Sequence, residues 1–118
     1  MPASGCSWCR RFRALPREAR NVRDWTASRI AQPDAPLVAH ELFVGCLAAR
    51  PDSIEMTLST AGDRIRITAR GPEPLTALCS HGPGLAIVRG LSSARGVVDD
   101  GRALWAEMHP DSSRKEPG

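Results

Sequence analysis

The spacing of the hydrophobic residues changes abruptly at Pro51, and this change limits the possible folds more than any other feature of the chain. Before Pro51, apolar residues recur at helical spacing, which predicts helices over residues 16–31 and 35–49. After it, apolar and polar residues alternate over 53–59 and again over 64–68, with a turn between the two runs. The chain therefore combines helices with a β-hairpin that buries one face.

The rest of the chain predicts a first strand over residues 9–15, a third helix over 84–94 and a closing hairpin over 97–108. The stretch 70–83 contains two glycines and three prolines, and we expect it to form a surface loop of the kind that often carries function. Strands collected into one sheet, with the three helices on a single face, predict a two-layer α/β (α+β) sandwich. Its sheet is expected to be mixed and mainly antiparallel.

The composition is that of one globular domain. The 118 residues are 42% hydrophobic and 25% charged, which is enough for one core and too little for two. We expect this domain to cover residues 10–109, between an N-terminal tail of residues 1–9 and a disordered C-terminal tail of residues 110–118. Because no apolar run approaches the roughly 20 residues that span a bilayer, and no signal-peptide pattern opens the chain, a cytoplasmic protein without membrane contact is expected.

Basic residues are concentrated near the N-terminal end, although the net charge is only +3. Arginines at positions 10, 11, 13, 17, 20, 23 and 29 are accompanied by only Glu18 and Asp24. Such a cluster could bind phosphates, but the chain has three Trp, two Phe and no Tyr, too few aromatic residues to stack on bases. A solvated basic helix face is therefore favoured over a nucleic-acid interface.

Four cysteines leave three interpretations open. Cys6 and Cys9 form a Cys-x-x-Cys pair in the predicted N-terminal tail, and a zinc site would need Cys79 and His81 as further ligands. A redox pair would instead be expected at a strand-to-helix turn. We favour incidental thiols and expect no ordered metal site, with Cys46 as a small core residue of the second helix.

Four short motifs occur in order on the predicted elements. They are Glu41-Leu42-Phe43-Val44-Gly45-Cys46 on the second helix, Ile65-Arg66-Ile67-Thr68-Ala69-Arg70-Gly71-Pro72 at the end of a strand, Gly82-Pro83-Gly84-Leu85-Ala86-Ile87-Val88 opening the third helix, and Asp100-Gly101-Arg102-Ala103-Leu104-Trp105-Ala106-Glu107 in the closing hairpin. Together they resemble the GHKL superfamily of ATP-binding domains, shared by gyrase, sensor histidine kinases and mismatch-repair proteins. Over residues 12–109, the nearest resemblance is to a small actinobacterial group similar to anti-sigma-factor serine kinases.

The resemblance implies a Bergerat-type ATP-binding fold with ATP and magnesium as cofactors. It implies that Glu41 polarises the attacking hydroxyl, as in the kinases of this family. The alternative, which we favour, is a partly buried glutamate that pairs with an arginine such as Arg66 or Arg70. The positions that match the family's ATP site are Gly45, Ala69, Gly71, Gly82, Gly84 and Leu85. From the motif matches we expect Glu41 and the five glycine and alanine positions of this set to converge around one cleft.

The chain departs from the family pattern where the chemistry is performed. Gly45 stands in place of an asparagine that binds magnesium, and Ala69 stands in place of the aspartate that accepts a hydrogen bond from the adenine amino group. Between Gly82 and Gly84, Pro83 offers neither a backbone N–H nor the arginine charge of the family motif. The sequence therefore predicts a nucleotide-binding fold with a degenerate site.

Two functions of different classes follow from the resemblance. The first is a pseudokinase that regulates transcription by protein–protein binding, with a sigma factor or an anti-sigma-factor antagonist as partner, or a second copy of itself in a homodimer. The second is an active ATP-binding serine/threonine protein kinase of the anti-sigma-factor type with an atypical site, in which Glu41 is the catalytic base. A metal or redox sensor built on the cysteines is a third and weaker interpretation.

Overall fold

The elements follow one another in the order that the sequence predicts. The computed structural model describes residues 5–72, 84–98 and 101–110. Within them, the strands and helices are β1 (Cys6–Arg13), α1 (Glu18–Arg29), α2 (Ala35–Leu47), β2 (Ser53–Ala61), β3 (Arg64–Arg70), α3 (Gly84–Leu91), β4 (Ala94–Val98) and β5 (Ala103–Met108). Their ends differ from the predicted ones by a few residues, and most of the predicted loop 70–83 lies outside the described residues.

The strands form one sheet in the order β1-β2-β3-β5-β4, and every neighbouring pair of these described strands is antiparallel. The prediction of a mainly antiparallel sheet is confirmed, but the expected mixed character is wrong for the described strands. The reason is the position of β5. β3 and β4 run in the same direction and would form a parallel pair as neighbours, but β5 lies between them and pairs with both.

One face of the sheet is buried under the helices, as the alternating pattern predicts. The core contains alternate residues of the four strands β1, β2, β3 and β5 and side chains from all three helices, so the helices lie on the same face. The largest fully buried side chains are Phe43, Leu42, Ile54, Met56, Leu58, Ile67, Val22, Val38, Val88, Thr26 and Cys46. The domain is therefore an α+β sandwich of two layers.

Helix α2 is the centre of the helical layer. It contacts α1 on one side and α3 on the other, and it packs on β2, β3 and β5. Its N-terminus is capped by Gln32 rather than by Asp34, because the Gln32 Oε1 atom accepts hydrogen bonds from the backbone N–H groups of Asp34 and Ala35, at 2.5 and 3.0 Å. Edge-to-face contacts of Phe12 with Trp25 and Phe43, at 5.6 and 6.2 Å between ring centres, join β1 to α1 and α2.

The first strand begins earlier than the sequence predicts. β1 starts at Cys6 and pairs with all of β2 except Ala61, from Cys6 opposite Thr60 to Arg13 opposite Ser53. β2 is nine residues long, so its backbone N–H and C=O groups can pair with a first strand that begins before residue 9. Cys6 and Cys9 therefore lie in an edge strand, and not in an N-terminal tail.

No helix in the described residues has the length and apolar character needed to cross a membrane.

Candidate functional site

The end of α2 lies directly against the end of β3, where the family resemblance places the base-reading residue. The Cys46 thiol of α2 donates a hydrogen bond to the backbone carbonyl oxygen of Ala69, with 3.7 Å between sulfur and oxygen. Ala69 is fully buried and belongs to the hydrophobic core, between Met56 of β2 and Leu104 of β5. A methyl group packed as core therefore occupies the position to which the resemblance assigns the adenine-binding carboxylate.

Glu41 and Gly45 lie one helical turn apart on α2, next to this contact. Gly45 immediately precedes Cys46 in the chain, so the position that the resemblance assigns to the magnesium ligand is one residue from this contact. Glycine has no side-chain oxygen to offer a metal ion there.

The Glu41 carboxylate is partnered by a histidine. Its Oε2 atom lies 3.7 Å from the Nε2 atom of His40, and only 14% of the Glu41 side chain is exposed. The other ring nitrogen of His40, Nδ1, is buried and has no hydrogen-bond partner in the described part of the chain. The predicted pairing of Glu41 with Arg66 or Arg70 is not observed, because alternation along β3 directs both arginines to the sheet face opposite the helices.

The glycines of the remaining motifs have different positions. Gly71 is buried just after β3, and its backbone N–H donates a 3.0 Å hydrogen bond to the carbonyl oxygen of Arg102 in the closing turn. That N–H group is therefore already used within the protein. Gly84 is the first residue of α3, which also contains Leu85, and α3 packs against α2. Gly82 lies outside the described residues, so the convergence of the whole set on one cleft stays a prediction.

The two N-terminal cysteines point to opposite faces of β1, because an odd separation along a strand reverses the side-chain direction. Both thiols are free and exposed, and Cys9 accepts a 3.8 Å hydrogen bond from the Thr57 hydroxyl on the sheet face without helices. In this strand they cannot share one metal ion or one disulfide with each other. The described residues contain no group of three or more metal-ligating side chains, while Cys79 and His81 lie outside them.

The basic cluster is divided between two surfaces. Arg11 extends to the open face of the sheet, where its Nη2 atom lies 3.9 Å from a Glu55 carboxylate oxygen. Arg20 and Arg23 are exposed on α1, in the helical layer. Because the sheet separates Arg11 from Arg20 and Arg23, these three arginines do not belong to one phosphate-binding patch.

The sheet face without helices carries a charged and aromatic cluster that the sequence analysis did not predict. The Arg66 guanidinium lies over the Trp105 ring at 4.1 Å from its centre, and Glu107 forms ion pairs with Arg66 and with Arg64, at 3.7 and 3.1 Å. The alternation of arginines with isoleucines in β3 does predict that the arginines lie on the open face. Trp105 and Glu107, their partners on β5, could not be predicted, because they lie about forty residues later in the chain and only strand pairing brings them close.

The structure also contains a cavity that no motif predicts. It lies between α3 and the β4–β5 pair and has a volume of about 320 Å³. Its lining includes the buried residues Leu42, Val88 and Leu104, together with Val97 and two arginines, Arg89 and Arg95. Leu42, Val88 and Leu104 belong to the first, third and fourth motifs, whereas the ATP-site positions Glu41, Gly45, Ala69 and Gly71 are not among the lining residues.

No protein-family model matches this chain, and no curated protein matches it.

Proposed function

We propose that this chain has the Bergerat-type ATP-binding fold and is a degenerate relative of the anti-sigma-factor serine/threonine kinases that regulates transcription by binding a protein. The arrangement of elements supports the proposal, since a central helix that carries the first motif packs against the strand that carries the second. The Cys46–Ala69 contact joins those two motifs directly. The expected setting is the cytoplasm, and the partner is a sigma factor, an anti-sigma-factor antagonist or a second copy of the chain.

The observation that carries the non-catalytic assignment is the burial of Ala69. Its side chain is fully enclosed in the core and has no hydrogen-bond acceptor to offer an adenine amino group. A charge-assisted hydrogen bond of this kind contributes about 1.5 to 3 kcal/mol, so its loss weakens nucleotide binding by roughly one to two powers of ten. The absence of a side chain at Gly45 removes a metal ligand as well.

Exposed apolar residues on the helical layer support a protein-binding role. Leu37 and Val44 lie seven residues apart on α2, which places them on the same side of the helix, and each is more than one-third exposed. Ile87 of the neighbouring α3 is exposed to a similar degree. Apolar side chains left at the surface of a central helix are the kind of contact that a partner protein buries.

Calorimetric titration with Mg-ATP tests the proposal. We expect no binding in the micromolar range and no phosphate transfer to serine or threonine of a partner, because metal ligand and base acceptor are both missing. Micromolar, magnesium-dependent binding would contradict the proposal. If Glu41→Ala then abolished phosphate transfer while leaving ATP binding intact, the alternative of an active serine/threonine kinase would replace it.

The protein-binding part of the proposal needs a separate measurement. Light scattering after size-exclusion chromatography determines whether the chain forms a homodimer, and Val44→Glu should weaken whichever protein contact exists by placing a charge on the exposed side of α2. Ala27→Glu is the matched control, since it also replaces an apolar side chain by a carboxylate and Ala27 is exposed on α1. Equal behaviour of the two variants in binding assays with a sigma factor, an antagonist and the chain itself would exclude the α2 surface as the contact.

A further inference from the structure

The cavity between α3 and the β4–β5 pair combines an apolar interior with positive charge. Leu42, Val88 and Leu104 line it and are at most 3% exposed, so they supply carbon surface from α2, α3 and β5. Val97, on the edge strand β4, also lines it and is 47% exposed. An apolar ligand part that covered Val97 would therefore remove additional hydrocarbon surface from water.

Two arginines supply the charge from different elements. Arg89 belongs to α3 and Arg95 to β4, and both line the cavity. Neither guanidinium has an ion pair or hydrogen bond with any residue in the described part of the chain. Glu107 is paired across the strands with Ala94, the neighbour of Arg95, but its carboxylate already binds Arg64 and Arg66 on the opposite sheet face.

We propose that this cavity binds a small carboxylate with an apolar body. Guanidinium groups form paired hydrogen bonds with carboxylates, and two such groups beside a hydrocarbon surface match a ligand with one anionic end. The volume of about 320 Å³ is at the lower end of the usual range of ligand sites, about 300 to 1,000 Å³, which favours a medium-length acyl chain or one ring.

Octanoate is a suitable probe, with 1-octanol as the neutral ligand of equal chain length. In ¹H–¹⁵N NMR titrations of the whole chain, octanoate should cause saturable shifts at Val88, Val97 and Leu104. We expect octanol to bind about tenfold more weakly, which corresponds to the loss of charge-assisted hydrogen bonds. Equal affinities for the two ligands, or no saturable shifts with octanoate, would overturn the proposal.

Matched variants separate specific recognition from general attraction to a basic protein. Arg89→Gln and Arg95→Gln should each weaken octanoate binding about three- to tenfold, whereas Arg23→Gln removes the same charge from an exposed position on α1 and should leave binding unchanged. Equal effects of the three variants would show non-specific attraction and contradict the site.

A variant that blocks the cavity provides an independent test. Val97→Phe adds volume at a lining residue that is partly exposed, so the fold should tolerate it while octanoate binding is lost. Retained octanoate affinity in folded Val97→Phe would place the ligand elsewhere and overturn the proposal. Because Glu41, Gly45, Ala69 and Gly71 do not line the cavity, a positive Mg-ATP titration would contradict the proposed function without overturning this site.

Discussion

Two ends of the helical layer differ in a way that their sequences do not suggest. The α2–β3 junction carries the first two motifs, yet Ala69 is packed as core and the Gly71 N–H is bonded within the protein. On the α3–β4 side, the motif residues Leu42, Val88 and Leu104 line a cavity together with two arginines that belong to no motif. Resemblance in a motif therefore identifies where a site lies in a family, while the side chains present decide whether the space and charge for a ligand remain.

The largest expected effect is a loss of stability when a charge is placed at the α2–β3 junction. Ala69→Asp should lower the free energy of unfolding by about 3 kcal/mol or more, because it buries a carboxylate among apolar side chains. Val97→Asp, beside the cavity, should lower the free energy of unfolding by no more than about 1 kcal/mol, since Val97 is half exposed. Urea unfolding of both variants measures the difference, and equal losses would show that the two ends do not differ in packing.

Restoring the family's polar groups tests whether the α2–β3 junction can still bind a nucleotide. The double variant Gly45→Asn/Ala69→Asp should bind Mg-ATP roughly a hundredfold more tightly than the unmodified chain, if each change recovers about 1.4 kcal/mol and the two add. Calorimetry measures the affinity, and thermal unfolding with and without Mg-ATP shows whether the nucleotide offsets the cost of the buried carboxylate. A folded double variant with no gain in affinity would contradict the alignment with the family.

Strands β4 and β5, beside the cavity, are nevertheless closely packed on the sheet face without helices. A Cβ atom added at Gly96 would lie 2.8 Å from the Trp105 Nε1 atom, so the indole ring must move and its stacking with Arg66 must change. Gly96→Ala should therefore destabilise the fold by about 1 to 2 kcal/mol and alter tryptophan fluorescence. Gly90→Ala is the control, because nothing lies within 4 Å of the new methyl group and alanine favours the helix. Similar stabilities of the two variants would mean that the Trp105 ring adjusts without cost.

The smallest effect should come from the thiol that joins α2 to β3. Cys46→Ala removes a buried sulfur and its hydrogen bond to Ala69, and we expect a loss of about 1 kcal/mol in the free energy of unfolding. Cys9→Ala removes an exposed thiol and should change stability by less than about 0.5 kcal/mol. If chemical denaturation gave Cys9→Ala the larger effect, the Cys46–Ala69 contact would not be what holds the junction together.

Hydrophobic periodicity was sufficient to predict the helices and strands and the side of each that is buried. The run from Leu37 to Leu47 is apolar on most of its circumference and forms the central helix, and the alternation over 53–59 and 64–68 correctly predicts which face of β2 and β3 is covered. These predictions succeed because periodicity directly reports which side of a local element avoids water.

Which elements are neighbours could be seen only in the folded chain. The insertion of β5 between β3 and β4, the extension of β1 to Cys6, the His40 partner of Glu41 and the arginine-lined cavity all depend on contacts between distant parts of the chain or on side-chain orientation. Hydrophobic periodicity carries no information about strand order, since every strand with one apolar face satisfies the same pattern. Pairing and packing select among those arrangements through the fit of the whole core.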